Sequence, residues 1–258
     1  MVEKQVEDTG RARKVAIVTG GGRGIGRAIV DRLRADGAKV VTCGRSSRPG
    51  DLDPEVVWVQ ADVSLTRDAD RLACEASALG NVAILVNNAG IQIEKTVTET
   101  TDDDWSLLVG VNCKGVFNMC RAVVPLMAGH GGSIVNLGST SGLVSDPSMA
   151  IYNASKGFVH SLTRSVAVDH GPKVRCNAVS PGWIMTEMAE SGFALARDSE
   201  KAKADSIARH PVRRFGRPED VANAVAWLVS EESGFVTGQC FTIDGGLTAA
   251  SPLQPGLF

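Results

Sequence analysis

The sequence predicts an α/β fold, a parallel sheet covered on both faces by helices. Three observations predict it. Short apolar, β-branched runs recur along the chain, and helical stretches with apolar residues at three- and four-residue spacing separate them. No internal repeat, proline-rich linker or low-complexity run interrupts the alternation, so a single domain is expected over 14–258.

In chain order, the residues 1–13 mix charges of both signs without an apolar core and read as a flexible extension rather than a secretory signal. Strands follow at 14–19, 38–43, 56–60, 82–86, 133–137, 174–179 and 239–243, each short and apolar on both faces, as a strand buried on both sides requires. Helices are expected near 25–36, 66–79, 102–128, 152–170 and 218–230, and they supply the right-handed crossovers that parallel strands need. The stretch from Pro181 to about Pro218 is longer than an ordinary connection and holds a weakly helical patch, the profile of a lid at a strand end. The tail SPLQPGLF, with two prolines, is expected to pack on a neighbouring subunit instead of forming a helix.

Composition narrows the function. The 258 residues carry 27 Lys+Arg against 29 Asp+Glu, a net charge of −2, with no basic stripe of the kind that tracks phosphate backbones, so no nucleic-acid partner is expected. At 43% hydrophobic and 22% charged residues the chain is an ordinary globular one. Its uninterrupted apolar runs, such as 82–86, are too short to span a bilayer, so no membrane partner is expected and a cytoplasmic location is. The six cysteines form no CxxC pair and the four histidines no HExxH or HxH pattern, so they read as buried small hydrophobes and non-ligating side chains, and no metal is expected.

Two motifs carry chemistry. The first strand runs into TGGGRGIG at 19–26 and then into a helix, a glycine turn that lets backbone approach a diphosphate at a helix start. It is not GxGxxG, because Arg27 stands where the last glycine would fall; the pattern is TGxxxGxG, with Gly20, Gly24 and Gly26. Alone, it also reads as a tight βα connection. Tyr152 and Lys156 share a helix face at i and i+4, where an ammonium would favour the phenolate and lower a pKa ordinarily near about 10. Taken singly, YxxxK is more often a surface pair. Ser139 lies in a GSTSG turn after an apolar strand, and NNAG at 87–90 ends another. Asn112, a poor helix former inside a long helix, implies a compensating role, a kink or a buried structural hydrogen bond.

Together, TGGGRGIG, Asp62–Val63, NNAG, Asn112, Ser139, YxxxK, PG at 181–182, Thr186 and IDGG at 243–246 stand in the order and at the spacings of the short-chain dehydrogenase/reductase family, which the chain resembles over about 14–247. Its 3-oxoacyl thioester reductases are similar around HPVRRFGRPEDVA, as are sugar, polyol and secondary-alcohol dehydrogenases. The resemblance implies a single Rossmann-type, doubly wound domain with a seven-stranded parallel sheet flanked by helices, binding a nicotinamide dinucleotide at the strands' C-terminal edge. It implies that Gly20, Arg23, Gly24, Ile25 and Gly26 meet the phosphates and adenosine ribose, and Asp62 and Val63 the adenine. Asn88, Ala89 and Gly90 would lie alongside, Tyr152 and Lys156 on the nicotinamide ribose, and Ile184 and Thr186 at the carboxamide. At the end of the second strand, where NAD-preferring members usually carry a carboxylate, stands Gly44, followed by Arg45 and Ser46. A glycine leaves room for a 2′-phosphate and a guanidinium can fork onto it, so NADP(H) is expected, with NAD(H) as the alternative.

The implied reaction is reversible hydride transfer between the nicotinamide and a carbonyl or secondary alcohol. Tyr152 would move the proton, Ser139 would hydrogen-bond the substrate oxygen, Lys156 would lower the Tyr152 pKa, and Asn112 would hold a relay water. The segment 185–215 would be the lid, with Met185, Met188, Phe193 and Leu195 either facing a partly hydrophobic substrate or packing the lid itself. Relatives commonly assemble as homotetramers through the helices at 102–128 and 152–170, so a homotetramer is expected. Two other classes are weighed: a non-catalytic nucleotide sensor, which often loses the tyrosine or lysine, and an epimerase or dehydratase, which usually needs a further C-terminal domain.

Overall fold

The computed structural model describes residues 14–194 and 196–250. The extension at 1–13, the tail at 251–258, Leu195 and the Met188 side chain, with the expectations attached to them, lie outside the described residues.

Seven strands form one parallel sheet: β1 Val15–Thr19, β2 Lys39–Gly44, β3 Val57–Gln60, β4 Val82–Asn87, β5 Gly132–Leu137, β6 Val174–Pro181 and β7 Cys240–Ile243. Their order is β3-β2-β1-β4-β5-β6-β7, so the chain winds outward from β1, then returns to start the second half beside it. The reversal falls between β1 and β4, where the strands' carboxyl ends open a crevice for ligands.

Both faces are packed because side chains alternate along each strand. Val15 and Ile17 enter one core with Leu85 and Ile134 under α2 (Thr66–Ser77), α4 (Val116–Met127) and α5 (Ala150–His170). Ala16 and Val18 enter the other core, under α1 (Gly24–Ala35) and α8 (Pro218–Val229), with Ile29, Leu33, Val225 and Leu228. Buried cysteines belong to these cores, and burial pushes the Cys43 thiol up to about 11 and the Cys120 thiol up to about 12. Both are therefore protonated and unreactive near neutrality.

The long helix expected at 102–128 is helical throughout but changes its hydrogen-bonding pattern part way. It divides into α3 (Asp102–Val109), a π-helical turn (Gly110–Gly115) and α4. Asp102–Met127 has the length and hydropathy, 1.3, of a membrane-crossing helix, and 56% of its most apolar window is buried inside the fold. Met119, Val123 and Met127 are fully buried, so much of that apolarity serves the core. A capping box between Thr101 and Asp104 starts α3. Beyond β6, the weakly helical patch forms two short helices, α6 (Glu187–Ala194) and α7 (Ser199–Ala208).

Candidate active site

The glycine turn after β1 is shaped for close backbone approach. Gly20 and Gly24 adopt φ of +68° and +55°, values L side chains resist. A β-carbon at Gly26 would overlap the Gly20 carbonyl and the Asn88 amide. Asn88 braces the turn, its Nδ2 donating to the Thr19 and Gly20 carbonyls at 2.9 and 3.1 Å, while its own N–H and that of Ala89 donate to Thr19 Oγ1 at 3.0 Å. No side chain caps the start of α1, which leaves amides there for an anion. This uncapped, crowded cradle fits a diphosphate. Across it lies the segment after β6, where Thr186 faces Gly24 and Glu187 pairs with Arg23 at 3.7 Å.

The cradle continues along the ends of β2 and β3. Arg45 and Ser46 are exposed there, and Arg45 makes no side-chain hydrogen bond or ion pair among the described residues. The room expected beside Gly44 is not empty, however. Trp58 fills it, its ring edge 2.8 Å from where a Gly44 β-carbon would stand. Asp62 Oδ1 accepts from Ser64, and the Val63 carbonyl accepts from Asn118 Nδ2 at 2.9 Å, which fixes the segment after β3.

On the other side of the crevice, α5 brings Tyr152, Ser155 and Lys156 to the ends of β4 and β5. Lys156 is buried, its Nζ donating to the Leu137 carbonyl at 2.9 Å and lying 5.6 Å from the Tyr152 ring centre. Burial lowers the Lys156 pKa to about 8. Burial also raises the Tyr152 phenol above its ordinary value; a hydrogen bond with Ser139 pulls the other way and the Asp146 carboxylate pushes up. The lowering of Tyr152 expected from its neighbour is thus not the direction found in the protein by itself. Burial dominates the phenol, while the Lys156 ammonium donates to the Leu137 carbonyl.

Asn112 lies within the π-helical turn, buried, where its side chain clamps Ile91. Its Oδ1 accepts from the Ile91 N–H at 2.9 Å, and its Nδ2 donates to the Ile91 carbonyl at 2.8 Å and to Ser155 Oγ at 3.2 Å. The side-chain amide is committed to structure, the buried hydrogen bonds weighed from the sequence, within a turn whose backbone pairing changes to the π pattern. π-turns frequently mark functional positions. Gly90, one residue before Ile91, sits between Asn112 and Lys156; a β-carbon there would lie 3.4 Å from Asn112 Oδ1 and 3.8 Å from Lys156 Nζ.

Sequence reasoning missed several residues that the structure adds. Ser139 Oγ donates to Ser141 Oγ at 3.0 Å, and Ser141 Oγ donates to Asp146 at 2.6 Å, so the Ser139 hydroxyl is tethered to a carboxylate. The second serine of GSTSG was the available signal. His160, one turn beyond Lys156, bonds Ser180 at 2.8 Å, and burial depresses its pKa. Spacing of i+4 along α5 marked it. The segment 185–215 borders a cleft of about 610 Å³, with Met185, Ile207 and Phe215 beside Glu190, Glu200 and Lys203. Neither Ser139 nor Tyr152 lines that space. Phe193 is buried between Trp183 and Phe215, with ring centres 5.4 Å apart on each side, so it packs against neighbouring rings. Ile184 is buried against Gly216.

A family model described as Enoyl-(Acyl carrier protein) reductase matches residues 20–248. The NADP-dependent (R)-specific alcohol dehydrogenase of Lentilactobacillus kefiri is 39% identical over 249 residues, covering 92% of this chain and 97% of that protein. The 3-oxoacyl-(acyl-carrier-protein) reductase FabG of Thermotoga maritima is 36% identical over 248 residues, covering 91% and 97%. Meso-2,3-butanediol dehydrogenase of Serratia marcescens is 35% identical over 245 residues, covering 92% and 95%. The ligand-free aldohexose dehydrogenase of Thermoplasma acidophilum superposes with a TM-score of 0.89 at 33% identity, covering 94% of this chain and 96% of that one. With the phosphate cradle and the Ser139–Tyr152–Lys156 cluster on one sheet edge, the chain belongs to the short-chain dehydrogenase/reductase family, NAD(P)-dependent oxidoreductases acting on CH–OH and C=O groups.

Proposed function

We propose that this enzyme prefers NADP(H) and interconverts a ketone and a secondary alcohol, with Tyr152 moving the proton. The observation that carries the reading is the meeting of Ser139, Tyr152 and Lys156 at the carboxyl ends of β4 and β5, facing an uncapped glycine turn. Gly20, Gly24, Ile25 and Gly26 would hold the diphosphate, Asp62 and Val63 the adenine, and Ile184 and Thr186 the carboxamide side. Arg45 and Ser46, with Arg23, would meet a 2′-phosphate; the free, exposed Arg45 guanidinium supports this. When bound, the dinucleotide supplies or takes up the hydride.

The chain's own groups handle the proton. In reduction Tyr152 donates it to the carbonyl oxygen while the Ser139 hydroxyl bonds the same oxygen as charge develops. The raised phenol pKa suits a proton donor. Lys156 holds the ribose and keeps a proton near the phenol, and Asn112 fixes Gly90 and Ile91 so that the floor of the site keeps its spacing. In oxidation the phenol must ionise, and the positive charge of oxidised nicotinamide beside it would favour that. A relay water at Asn112 belongs to the same reading, held by groups other than the side-chain bonds already made.

The residues 14–258 would act as one catalytic domain with 185–215 as lid. A cytoplasmic homotetramer is proposed as well, supported by exposed Trp105, Leu107 and Phe117 on the α3–α4 run and Phe158 and Val168 on α5. Tyr152→Phe tests the central claim: turnover of a ketone with NADPH should fall by several orders of magnitude while NADPH binding, followed by its fluorescence, stays within a few-fold of the parent. Substantial residual turnover would remove Tyr152 from the mechanism, and tighter binding of NADH than NADPH would replace the cofactor reading with an NAD-dependent alcohol, sugar or polyol dehydrogenase.

A further inference from the structure

β2 and β3 run side by side with Thr42 opposite Trp58 and Gly44 opposite Gln60. Gly44 lies two residues after Thr42 and so points to the same face. That face lies under the glycine turn, because Thr42 Oγ1 accepts the Gly21 N–H at 3.0 Å. The Trp58 indole occupies the space between turn and strand. A β-carbon at Gly44 would stand 2.8 Å from its Cη2 and 3.0 Å from its Cζ2, and one at Gly22 would stand 3.2 Å from the same Cη2 and 3.2 Å from Pro49 Cγ. The Trp58 side chain also packs on the core that holds Ile29, Leu52 and Val56. A rigid ring wedged this way has little freedom to retreat.

We infer that Trp58 is a specificity-determining residue: its ring occupies the volume into which an acidic side chain at position 44 would grow, and leaves the neighbouring Arg45 as the group that meets the cofactor's 2′ position. The inference rests on the cofactor preference proposed above. It says more than that a glycine stands at 44, because it makes the two positions interdependent. An aspartate at 44 in this chain would push against the indole and displace the end of β2 or the glycine turn, instead of turning toward a ribose.

The test is a two-position cycle read by fluorescence titration with NADPH and, separately, NADH. Gly44→Asp should weaken both cofactors by about tenfold or more, the cost of an overpacked site. Gly44→Asp combined with Trp58→Val should recover NADH binding and bind it more tightly than NADPH. Gly44→Ala, the smaller intrusion, covers the case in which Gly44→Asp does not fold: it should weaken both cofactors, and adding Trp58→Val should restore them. The inference is overturned if Gly44→Asp alone moves preference to NADH as far as the double variant, or if Gly44→Ala binds both cofactors like the parent. Arg45→Ala judges the underlying reading separately. Loss of NADPH affinity with NADH unchanged upholds it, whereas an unchanged ratio removes it and leaves the 44/58 coupling to stand or fall on the cycle.

Discussion

Lys156 should destabilise the fold in which it is buried. Its folded-state pKa is about 8 against an ordinary 10.5 because the ammonium is buried, a difference worth about 3 kcal/mol. The unfolded chain therefore binds more protons than the native one between these values, and stability must rise with pH across that interval. Below about pH 8 the penalty is fully present; above about 10.5 it is gone. Lys156→Met removes it, but leaves the Leu137 carbonyl, now bonded at 2.9 Å, without its donor, at a cost of about 1–3 kcal/mol. That loss is the same at every pH, so the pH dependence isolates the buried charge. Urea unfolding of both proteins at equal concentration should give a variant-minus-parent difference that falls by roughly 2–3 kcal/mol from pH 7 to pH 10. A difference that stays constant over this range would show that Lys156 is not desolvated, whatever happens to turnover.

Gly26→Ala would drive a β-carbon into the Gly20 carbonyl and the Asn88 amide, so unfolding free energy should drop by about 1–3 kcal/mol and the NADPH dissociation constant should rise at least about tenfold. An unchanged constant in a titration would remove the glycine turn from the cofactor cradle. The Asp146 carboxylate raises the Tyr152 pKa, and Asp146→Asn takes that charge away. The midpoint of the pH–rate profile for alcohol oxidation should then move to lower pH, and a move to higher pH would contradict the charge argument. Asn112→Ala loses three hydrogen bonds, two to Ile91 and one to Ser155. It should cost about 1–3 kcal/mol and lower kcat more than cofactor affinity; urea unfolding and steady-state kinetics check both, and unchanged kcat would make the clamp structural only.

What the sequence makes legible follows from which demands are local. The inner strands can be read because a strand buried on both faces must be apolar throughout, as VAIVT is, while the edge strands β3 and β7 are less buried and are marked by their β-branched and aromatic residues. The glycine turn can be read because positive φ at Gly20 and Gly24 excludes most other residues. The π-helical turn cannot, since it changes the hydrogen-bonding partner of the backbone while the apolar spacing of 102–127 continues through it; only the misplaced Asn112 hints at it. Trp58 was equally hidden, because its role depends on glycines that are distant in sequence and meet it only when β2, β3 and the turn are assembled.

Alongside, the direction of the Tyr152 shift could not come from spacing alone. Two residues at i and i+4 fix a distance, but the sign of a pKa shift depends on burial, which is a property of the whole site. The buried face of α5 makes the point. Ser155, Lys156, His160 and Thr163 all point inward, where an amphipathic helix would carry apolar groups. Each is satisfied: Ser155 donates to the Tyr152 carbonyl, Lys156 to the Leu137 carbonyl, His160 bonds Ser180, and Thr163 accepts from Asn136, which in turn accepts from Asn87. An apolar face could slide or rotate by small amounts against the sheet. A face of directional bonds to β5 and β6 cannot do so without breaking them. The polar stripe that departs from the helical pattern is thus what holds Tyr152 at a fixed height above the crevice, and the buried charge of Lys156 is tolerated as part of the same fixed array.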